Sequence, residues 1–428
     1  MSPVRRSDRH RDHGLDHRPD RRSPHTAGLR HVLLHLVTPL LMCIGMGLAY
    51  LGAFADPAPH HLPVAVVGSG QSAQLLAQSI NDKAGGDLEA RTVPDRATAT
   101  EQLRHQDIFG AYVPHGKSGT TASGTHGTDS ARSAKAAGTT GPAPELMVAT
   151  AGSDTSASVV QKVFTPIAAQ QGRPLKVTDV APTAQHDPTG QGIFFLLVAI
   201  SIGSYASVAV IGGAGAVLPM RLRALLAVGT SFVVSIIGTL FAGPVFHLVD
   251  HGMWGLWSMA WLYSAGILLI GTGLHTFLKR WTTLGVMALF VMLNFTSSGG
   301  IFRPEMQNGF FAALHSFWNG AGFVEGTRSH VYFNGYGLAG HVGTLVIWLV
   351  IGAASAGIAG LAESRRKAAE KAAAERATAV AAAAVAATVT DGGRHPEQAA
   401  RADGRRRGCD AESGAEAEEE EMEEAVGV

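Results

Sequence analysis

Apolar residues along this chain are gathered into blocks of about twenty, and polar stretches separate the blocks. A helix rises about 1.5 Å per residue, so a block of this length crosses the ~30 Å hydrocarbon core of a bilayer. The pattern predicts six transmembrane helices, over residues 31–54, 192–218, 224–246, 254–277, 282–300 and 338–361. The predicted fold class is therefore an α-helical integral membrane protein with the lipid bilayer as its partner.

The first apolar block follows a basic leader, as the apolar centre of a cleavable signal peptide would. Its apolar stretch and its polar leader, residues 1–30, are both longer than a signal peptide needs. We therefore interpret residues 31–54 as an uncleaved anchor and residues 1–30 as a disordered basic tail.

Residues 55–190, between the first and second blocks, have the character of a soluble domain. Short apolar runs predict strands over residues 63–67, 88–93, 108–113, 146–150 and 175–180. Helical patterns lie between them over residues 71–80, 97–106 and 157–171. Alternating strands and helices predict a small α/β domain. Its residues 116–144 are rich in Gly, Ser, Thr and Ala and predict a flexible insertion.

The basic residues of the short connections predict the orientation in the membrane, because Lys and Arg concentrate on the cytoplasmic side. Residues 219–223 carry Arg221 and Arg223, and a second basic turn is Lys279–Arg280, whereas residues 247–253 contain no Lys or Arg. This distribution predicts a multi-pass protein of the cell membrane with both termini in the cytoplasm. The α/β domain is then extracytoplasmic.

Composition supports the membrane assignment and excludes little else. Only 16% of the residues are charged, against about 25% in soluble proteins. The formal net charge is zero, so it gives no reason to expect a nucleic-acid partner. Cys43 lies in an apolar block and Cys409 in a polar tail, which excludes a disulfide framework.

Two motifs resemble nucleotide-binding loops. Residues 68–73 follow a predicted strand and open a helix, as a dinucleotide fingerprint does, with Glu89 near the ribose-binding offset. We interpret residues 68–73 as a glycine turn, because the topology places them outside the cell. The triplet Gly116-Lys117-Ser118 lacks the glycine that a phosphate-binding loop has five positions before its Gly-Lys pair. The sequence predicts no cofactor, no metal site and no catalytic constellation, and therefore no enzyme.

The candidate functional residues of the apolar half lie around the outer end of the fifth block. Asn294, Ser297 and Ser298 form a polar patch there, and Arg303 and Glu305 follow it. We interpret these five residues as a candidate substrate path or gate. The aromatic-rich residues 310–318 predict an interfacial or a re-entrant helix.

Several segments resemble the type-2 ABC exporter permeases, and more closely their phage-infection-protein (YhgE/Pip) relatives. The segments are Val64-Ala-Val-Val-Gly, Asp107-Ile-Phe-Gly-Ala-Tyr-Val, Thr178-Asp-Val-Ala-Pro, Asp187-Pro-Thr-Gly-Gln-Gly, Ser297-Ser-Gly-Gly and residues 314–337. They are collinear over residues 31–361. The resemblance implies a permease-like subunit of an export or secretion system, a homo- or hetero-dimer, and a separate ATP-binding subunit.

The inner connections are too short for the cytoplasmic helices with which such permeases engage an ATPase. Arg221 and Arg223 are the candidate inner contact that remains between the predicted spans. The short connections also favour an alternative function, a non-transporting surface receptor or secretion scaffold whose outer domain binds a partner. Residues 362–428 predict a cytoplasmic tail, first an Ala-rich helix to Ala387 and then a disordered acidic end.

Overall fold

The computed structural model describes residues 24–54, 57–114, 143–170 and 172–391. Contacts divide the chain into two compact units, Met1–Gly360 and Leu361–Val428, which are described separately. The chain is mostly helical and contains one small mixed sheet. Most of the predicted basic tail, the flexible insertion and the acidic end lie outside the described residues.

A five-stranded mixed sheet forms the α/β domain, in the order β2-β1-β3-β4-β5. Its strands are β1 (Leu62–Val67), β2 (Leu88–Val93), β3 (Ala111–Val113), β4 (Glu145–Val148) and β5 (Lys176–Asp179). Its helices are α2 (Gln71–Ala84), α3 (Arg96–Arg104) and α4 (Asp154–Gln170). Strand β4 is antiparallel to β3, and the other neighbouring strands are parallel. The predicted strands are confirmed in place, although β3 is shorter than predicted.

Alternating side chains of β1 bury both faces of the sheet. Val64 and Val66 belong to one apolar cluster and Ala65 to another, as the two-residue period of a strand requires. The glycine-rich segment after β1 is a tight turn into α2. Gly68 adopts a φ of 143°, and an added Cβ would lie 3.1 Å from that of Ala73.

The apolar part of the chain forms nine further helices in the described residues. They are α1 (Pro24–Phe54), α5 (Gly192–Gly212), α6 (Met220–Leu240), α7 (Met253–Leu278), α8 (Thr282–Met287), α9 (Asn294–Ser297), α10 (Gly309–His315), α11 (Asn319–Tyr332) and α12 (Leu338–Asp391). Helix α1 begins at Pro24, inside the segment predicted to be a disordered tail.

Four helical stretches in the described residues are long and apolar enough to cross a membrane. They are Gly192–Gly212, Met220–Val245, Met253–Leu278 and Leu338–Ala386. Two shorter apolar stretches, Leu40–Phe54 and Thr282–Ser297, correspond to the first and fifth predicted spans. Four such helices are compatible with a multi-pass membrane protein.

Close contacts show how the long helices run side by side. The hydroxyls of Ser201 on α5 and Tyr263 on α7 are 2.5 Å apart. Further along both helices, an added Cβ on Gly271 of α7 would meet Val208 of α5, so the two helices run parallel. An added Cβ on Gly238 of α6 would meet Ile200, which makes α6 antiparallel to α5. We call the end of this bundle at Gly192, Met253 and Leu338 the domain end, because the α/β domain joins the helices there.

The fifth predicted span is not one regular helix. A π-helical segment, Ala288–Leu293, separates α8 from α9, and the helical path ends at Ser297 rather than at residue 300. A second π-helical segment, Phe241–Val245, contains Pro244 and ends α6. Such π-helical segments often occur at functional sites.

The second unit begins within the last helix. From Leu361 to Ala386 nearly every residue is exposed, and pairs such as Arg366–Glu370 support the helix at a spacing of four residues. The helix continues through Asp391, beyond the predicted end at Ala387.

Candidate functional site

The segment between α9 and α12 folds back into the bundle as a helical hairpin. Helix α10 runs in, residues 316–318 form the turn, and α11 runs out again. Twelve of the fourteen residues of α11 are buried. The predicted spans leave most of this segment in an outer loop and allow residues 310–318 to be either interfacial or re-entrant. We call α10 and α11 together the hairpin.

Contacts at the hairpin turn show how deeply it enters. The Trp348 indole N–H donates to the Phe317 carbonyl oxygen (2.7 Å), and the Asn319 amide N–H to the Tyr263 carbonyl oxygen (3.4 Å). Tyr263 and Trp348 lie ten residues into α7 and α12 respectively. At about 1.5 Å per residue, the turn lies about 15 Å below the domain end.

A chain of buried side-chain hydrogen bonds joins the hairpin to α5, α7 and α9. The Gly320 backbone N–H donates to Asn294 Oδ1 (2.6 Å), and Asn294 Nδ2 donates to the Tyr263 hydroxyl (2.6 Å). The Tyr263 hydroxyl pairs with Ser201 Oγ, which donates to the Leu197 carbonyl oxygen. Both polar atoms of the Asn294 amide therefore have partners, because its oxygen accepts one hydrogen bond and its nitrogen donates another.

Further along α11, three charged side chains form a buried ion cluster. The Glu325 carboxylate accepts from Arg303 Nη1 at 2.5 Å and from Arg328 Nη1 at 2.8 Å. Arg328 also donates to the carbonyl oxygens of Gly299 and Gly300, at 2.8 and 3.1 Å. All three charged side chains are less than a tenth exposed. We call Arg303, Glu325 and Arg328 the ion cluster.

Gly299 leaves room for the ion cluster. Its φ is +73°, a conformation that side-chain-bearing residues rarely adopt. An added Cβ would lie 2.6 Å from His315 Cε1 and 3.0 Å from Glu325 Oε1. The Ser297-Ser-Gly-Gly segment therefore turns back against the hairpin only with glycine at this position.

The two arginines keep Glu325 ionised. Burial alone would raise the pKa of the Glu325 carboxyl, but the guanidinium groups of Arg303 and Arg328 lower it to about 2. Burial lowers the pKa of the neighbouring His315, which favours the neutral imidazole. The cluster is a fixed set of charges near neutral pH, since Glu325 does not exchange protons there.

The α/β domain rests on the ion cluster. The Arg303 guanidinium lies over the Phe109 ring, 5.4 Å from its centroid. The Thr155 hydroxyl donates to the Ile301 carbonyl oxygen (3.2 Å), and the Ala184 N–H donates to the Tyr332 hydroxyl (3.3 Å). The domain therefore contacts the start of the hairpin segment and the end of α11.

The structure brings the five candidate path residues into this region. Asn294, Ser297 and Ser298 are fully buried and hydrogen-bonded, Arg303 belongs to the ion cluster, and Glu305 is partly exposed 3.9 Å from Arg303. Four further residues of this region were not predicted from the sequence: Tyr263, Asn319, Glu325 and Arg328. The only sequence signal for the last two was their opposite charge at a spacing of three residues.

The two candidate inner residues lie at the far end of α6 from the domain. Arg221 is exposed, whereas Arg223 is 5% exposed and packs near Gly215. Of these two arginines, only Arg221 has an exposed side chain that a partner protein could contact. Within the described residues, no group of three His, Cys, Asp or Glu side chains could hold a metal ion.

No protein-family model matches the chain, and neither curated proteins nor solved structures yielded a match. The resemblance to exporter permeases thus remains a prediction from the residues that carry it.

Proposed function

We propose that this chain is a permease-like membrane subunit of an export or secretion system. It crosses the membrane six times, through α1, α5, α6, α7, the interrupted helix from Thr282 to Ser297, and α12. It has no catalytic activity of its own, forms a homo- or hetero-dimer, and works with a separate ATP-binding subunit. Arg221 is its exposed inner contact with that subunit.

The observation that carries the proposal is the polar hairpin inside the bundle. Helices that only anchor a surface domain need apolar contacts with lipid and with one another. This bundle instead encloses a hairpin whose turn reaches about 15 Å below the domain end and is held by hydrogen bonds among Gly320, Asn294 and Tyr263. The ion cluster lies above the turn, between the hairpin and the α/β domain. Polar groups buried among membrane helices are costly and are functional candidates by default, and a substrate path is one of the roles they serve. The interrupted helix beside the hairpin supports the same function, because transporters build their sites from broken helices.

The proposed orientation places the domain end outside the cell. We expect a cysteine at Ser72, which is exposed on α2, to react with an impermeant maleimide in intact cells. A cysteine at Val217, which is 88% exposed in the connection between α5 and α6, should react only after permeabilisation. Both variants are made in a chain whose Cys43 and Cys409 are replaced by Ala. The reverse labelling pattern would contradict the orientation.

A reversible lock on the hairpin tests transport. An added Cβ on Gly322 of α11 would lie 3.3 Å from that of Thr344 on α12, close to the spacing of about 3.8 Å in disulfides. We expect the Gly322→Cys/Thr344→Cys disulfide to abolish export, because it fixes α11 to a neighbouring span. Export is scored by the compounds that cells with the wild-type gene release and deletion cells do not.

The controls are the two single-cysteine variants and the reduced double variant, all of which should export. If the oxidised double variant reaches the membrane at normal levels and exports normally, the hairpin does not move against α12 during transport. If wild-type and deletion cells release the same compounds, the permease function fails.

The second candidate function is a non-transporting receptor or secretion scaffold. The observation that favours it is the short connection between α5 and α6, which leaves an ATPase little surface beyond Arg221 and Val217. A receptor would tolerate the hairpin lock, and cross-linking at the α/β domain would capture an extracytoplasmic partner.

A further inference from the structure

A cleft of about 860 Å³ opens between the α/β domain and the chain just before α12. One wall is the exposed side of α3, with Arg96, Thr100, Glu101 and Arg104. The opposite wall is the turn Phe333–Tyr336, in which Asn334 and Gly335 both have positive φ angles. None of these residues belongs to the ion cluster or to the hydrogen-bond chain through Asn294 and Tyr263.

Two aromatic rings join the walls at one edge of the cleft. The His105 and Tyr336 rings stack with centroids 3.8 Å apart and planes 2° from parallel. Tyr336 is still half exposed. The stack fixes the distance between α3 and the turn, so the cleft is held open rather than formed by a loose loop.

Among the described residues, the cleft contains one cation and one anion that are not already paired with another side chain, Arg104 and Glu101. Arg96 is committed, since its guanidinium forms two hydrogen bonds with the Glu145 carboxylate. Within the part of the chain that the structure describes, Glu101 and Arg104 have no ion-pair partner, although they lie three residues apart on α3. A ligand with a negative and a positive group side by side satisfies both, whereas a purely anionic ligand leaves Glu101 opposed to it.

The position of the cleft along the bundle suggests where such a ligand comes from. Tyr336 lies two residues before α12, which begins a candidate membrane span. In the six-span arrangement proposed above, on which this step rests, the cleft opens at the level of the lipid headgroups. Tyrosine side chains are enriched at that level.

We propose that this cleft binds a zwitterionic phosphate–ammonium group of the phosphoethanolamine type. The Arg104 guanidinium binds the phosphate with charge-assisted hydrogen bonds, and the Glu101 carboxylate binds the ammonium. The exposed part of Tyr336 provides an apolar edge for the carbon linker. The group belongs to an aminophospholipid of the outer leaflet or to a soluble phosphoethanolamine compound.

Binding to the purified full-length chain in detergent micelles tests the site. The probes are short-chain phosphatidylethanolamine, short-chain phosphatidylglycerol and free phosphoethanolamine. We expect phosphatidylethanolamine to bind at least tenfold more tightly than phosphatidylglycerol. Arg104→Gln should weaken phosphatidylethanolamine binding at least tenfold, because the phosphate loses its cation. Glu101→Gln should remove the preference between the two lipids.

The matched control is Arg91→Gln, which removes an exposed arginine of the same domain outside the cleft. Its lipid binding should equal that of the wild type. Free phosphoethanolamine binding as tightly as the lipid supports the site and assigns its ligand to a soluble compound. Equal affinity for both lipids, or unchanged binding by Arg104→Gln, overturns the proposal. The assay requires no export, so its failure is separate from failure of the permease function.

Discussion

Replacement of Glu325 by Gln is expected to lower the free energy of unfolding by about 3–5 kcal/mol, the usual cost of removing one partner from a buried ion pair. Gln keeps the size of the side chain but removes the only fully buried carboxylate of the ion cluster. Arg303 and Arg328, which are 7% and 3% exposed, then repel each other, and the partly exposed Glu305 beside Arg303 is a weaker counter-charge than Glu325. Unfolding of the purified chain in mixed detergent micelles measures the loss.

The control is Glu370→Gln, which removes one partner of the exposed pair Arg366–Glu370 on the surface of α12. Its effect should stay below about 0.5 kcal/mol, because surface ion pairs contribute little. If Glu325→Gln is as mild as this control, the buried carboxylate is not the centre of the cluster.

The effect of Glu325→Gln should also depend on pH in a defined direction. The folded pKa of Glu325, about 2, lies below the ordinary carboxyl value of 4.5. A depressed pKa contributes stability that is fully present above about pH 4.5 and is lost as the pH falls through about 2. The difference between wild type and variant should therefore be constant from neutral pH to about pH 5 and narrow below that.

The parts of the fold that could be predicted are those whose residues repeat a simple pattern. The apolar blocks behind α5, α6, α7 and α12 exceed the length of a bilayer-crossing helix, and no short local feature competes with that signal. Strands β1 and β2 were predicted almost to the residue. Strand β1 is a continuous apolar run that ends before Gly68, and β2 places Leu88 and Ala90 inside and Glu89 and Arg91 outside before Pro94. Strand β3 was predicted three residues too long at its start. Phe109 still donates a backbone hydrogen bond to Pro63 of β1, but the regular strand begins at Ala111.

The hairpin was harder to predict because its polar residues are typical of an exposed loop, whereas the structure buries them. Residues 319–332 contain glycines, an asparagine, a carboxylate and an arginine, which is the composition of an exposed loop. They are buried because partners distant in sequence satisfy them: Asn294 for Gly320, and Arg303 for Glu325. The sequence did identify Asn294, Ser297, Ser298 and Arg303 as an unusual polar group. The sequence could not indicate that Asn294 and Arg303 form hydrogen bonds with residues of α11.

Replacement of Gly273 by Ala is expected to destabilise the bundle by about 1–3 kcal/mol, the typical cost of overpacking. Gly273 lies on α7 where this helix crosses α12. An added Cβ would lie 2.7 Å from the Ser355 carbonyl carbon and 2.9 Å from the Ala356 backbone nitrogen. Backbone atoms cannot turn aside as a side chain can, so the two helices must separate. Separation loses the contacts that small residues give helices in a membrane.

Gly357→Ala on α12 is the matched control for Gly273→Ala, because an added Cβ at Gly357 meets no atom within 4 Å. Alanine forms helices better than glycine by about 1 kcal/mol, so Gly357→Ala should be neutral or slightly stabilising. The two substitutions add the same methyl group to glycines of neighbouring helices, and they differ only in what the methyl group meets. Unfolding in mixed micelles distinguishes them. Equal stability of the two variants would mean that α7 and α12 do not pack through Gly273.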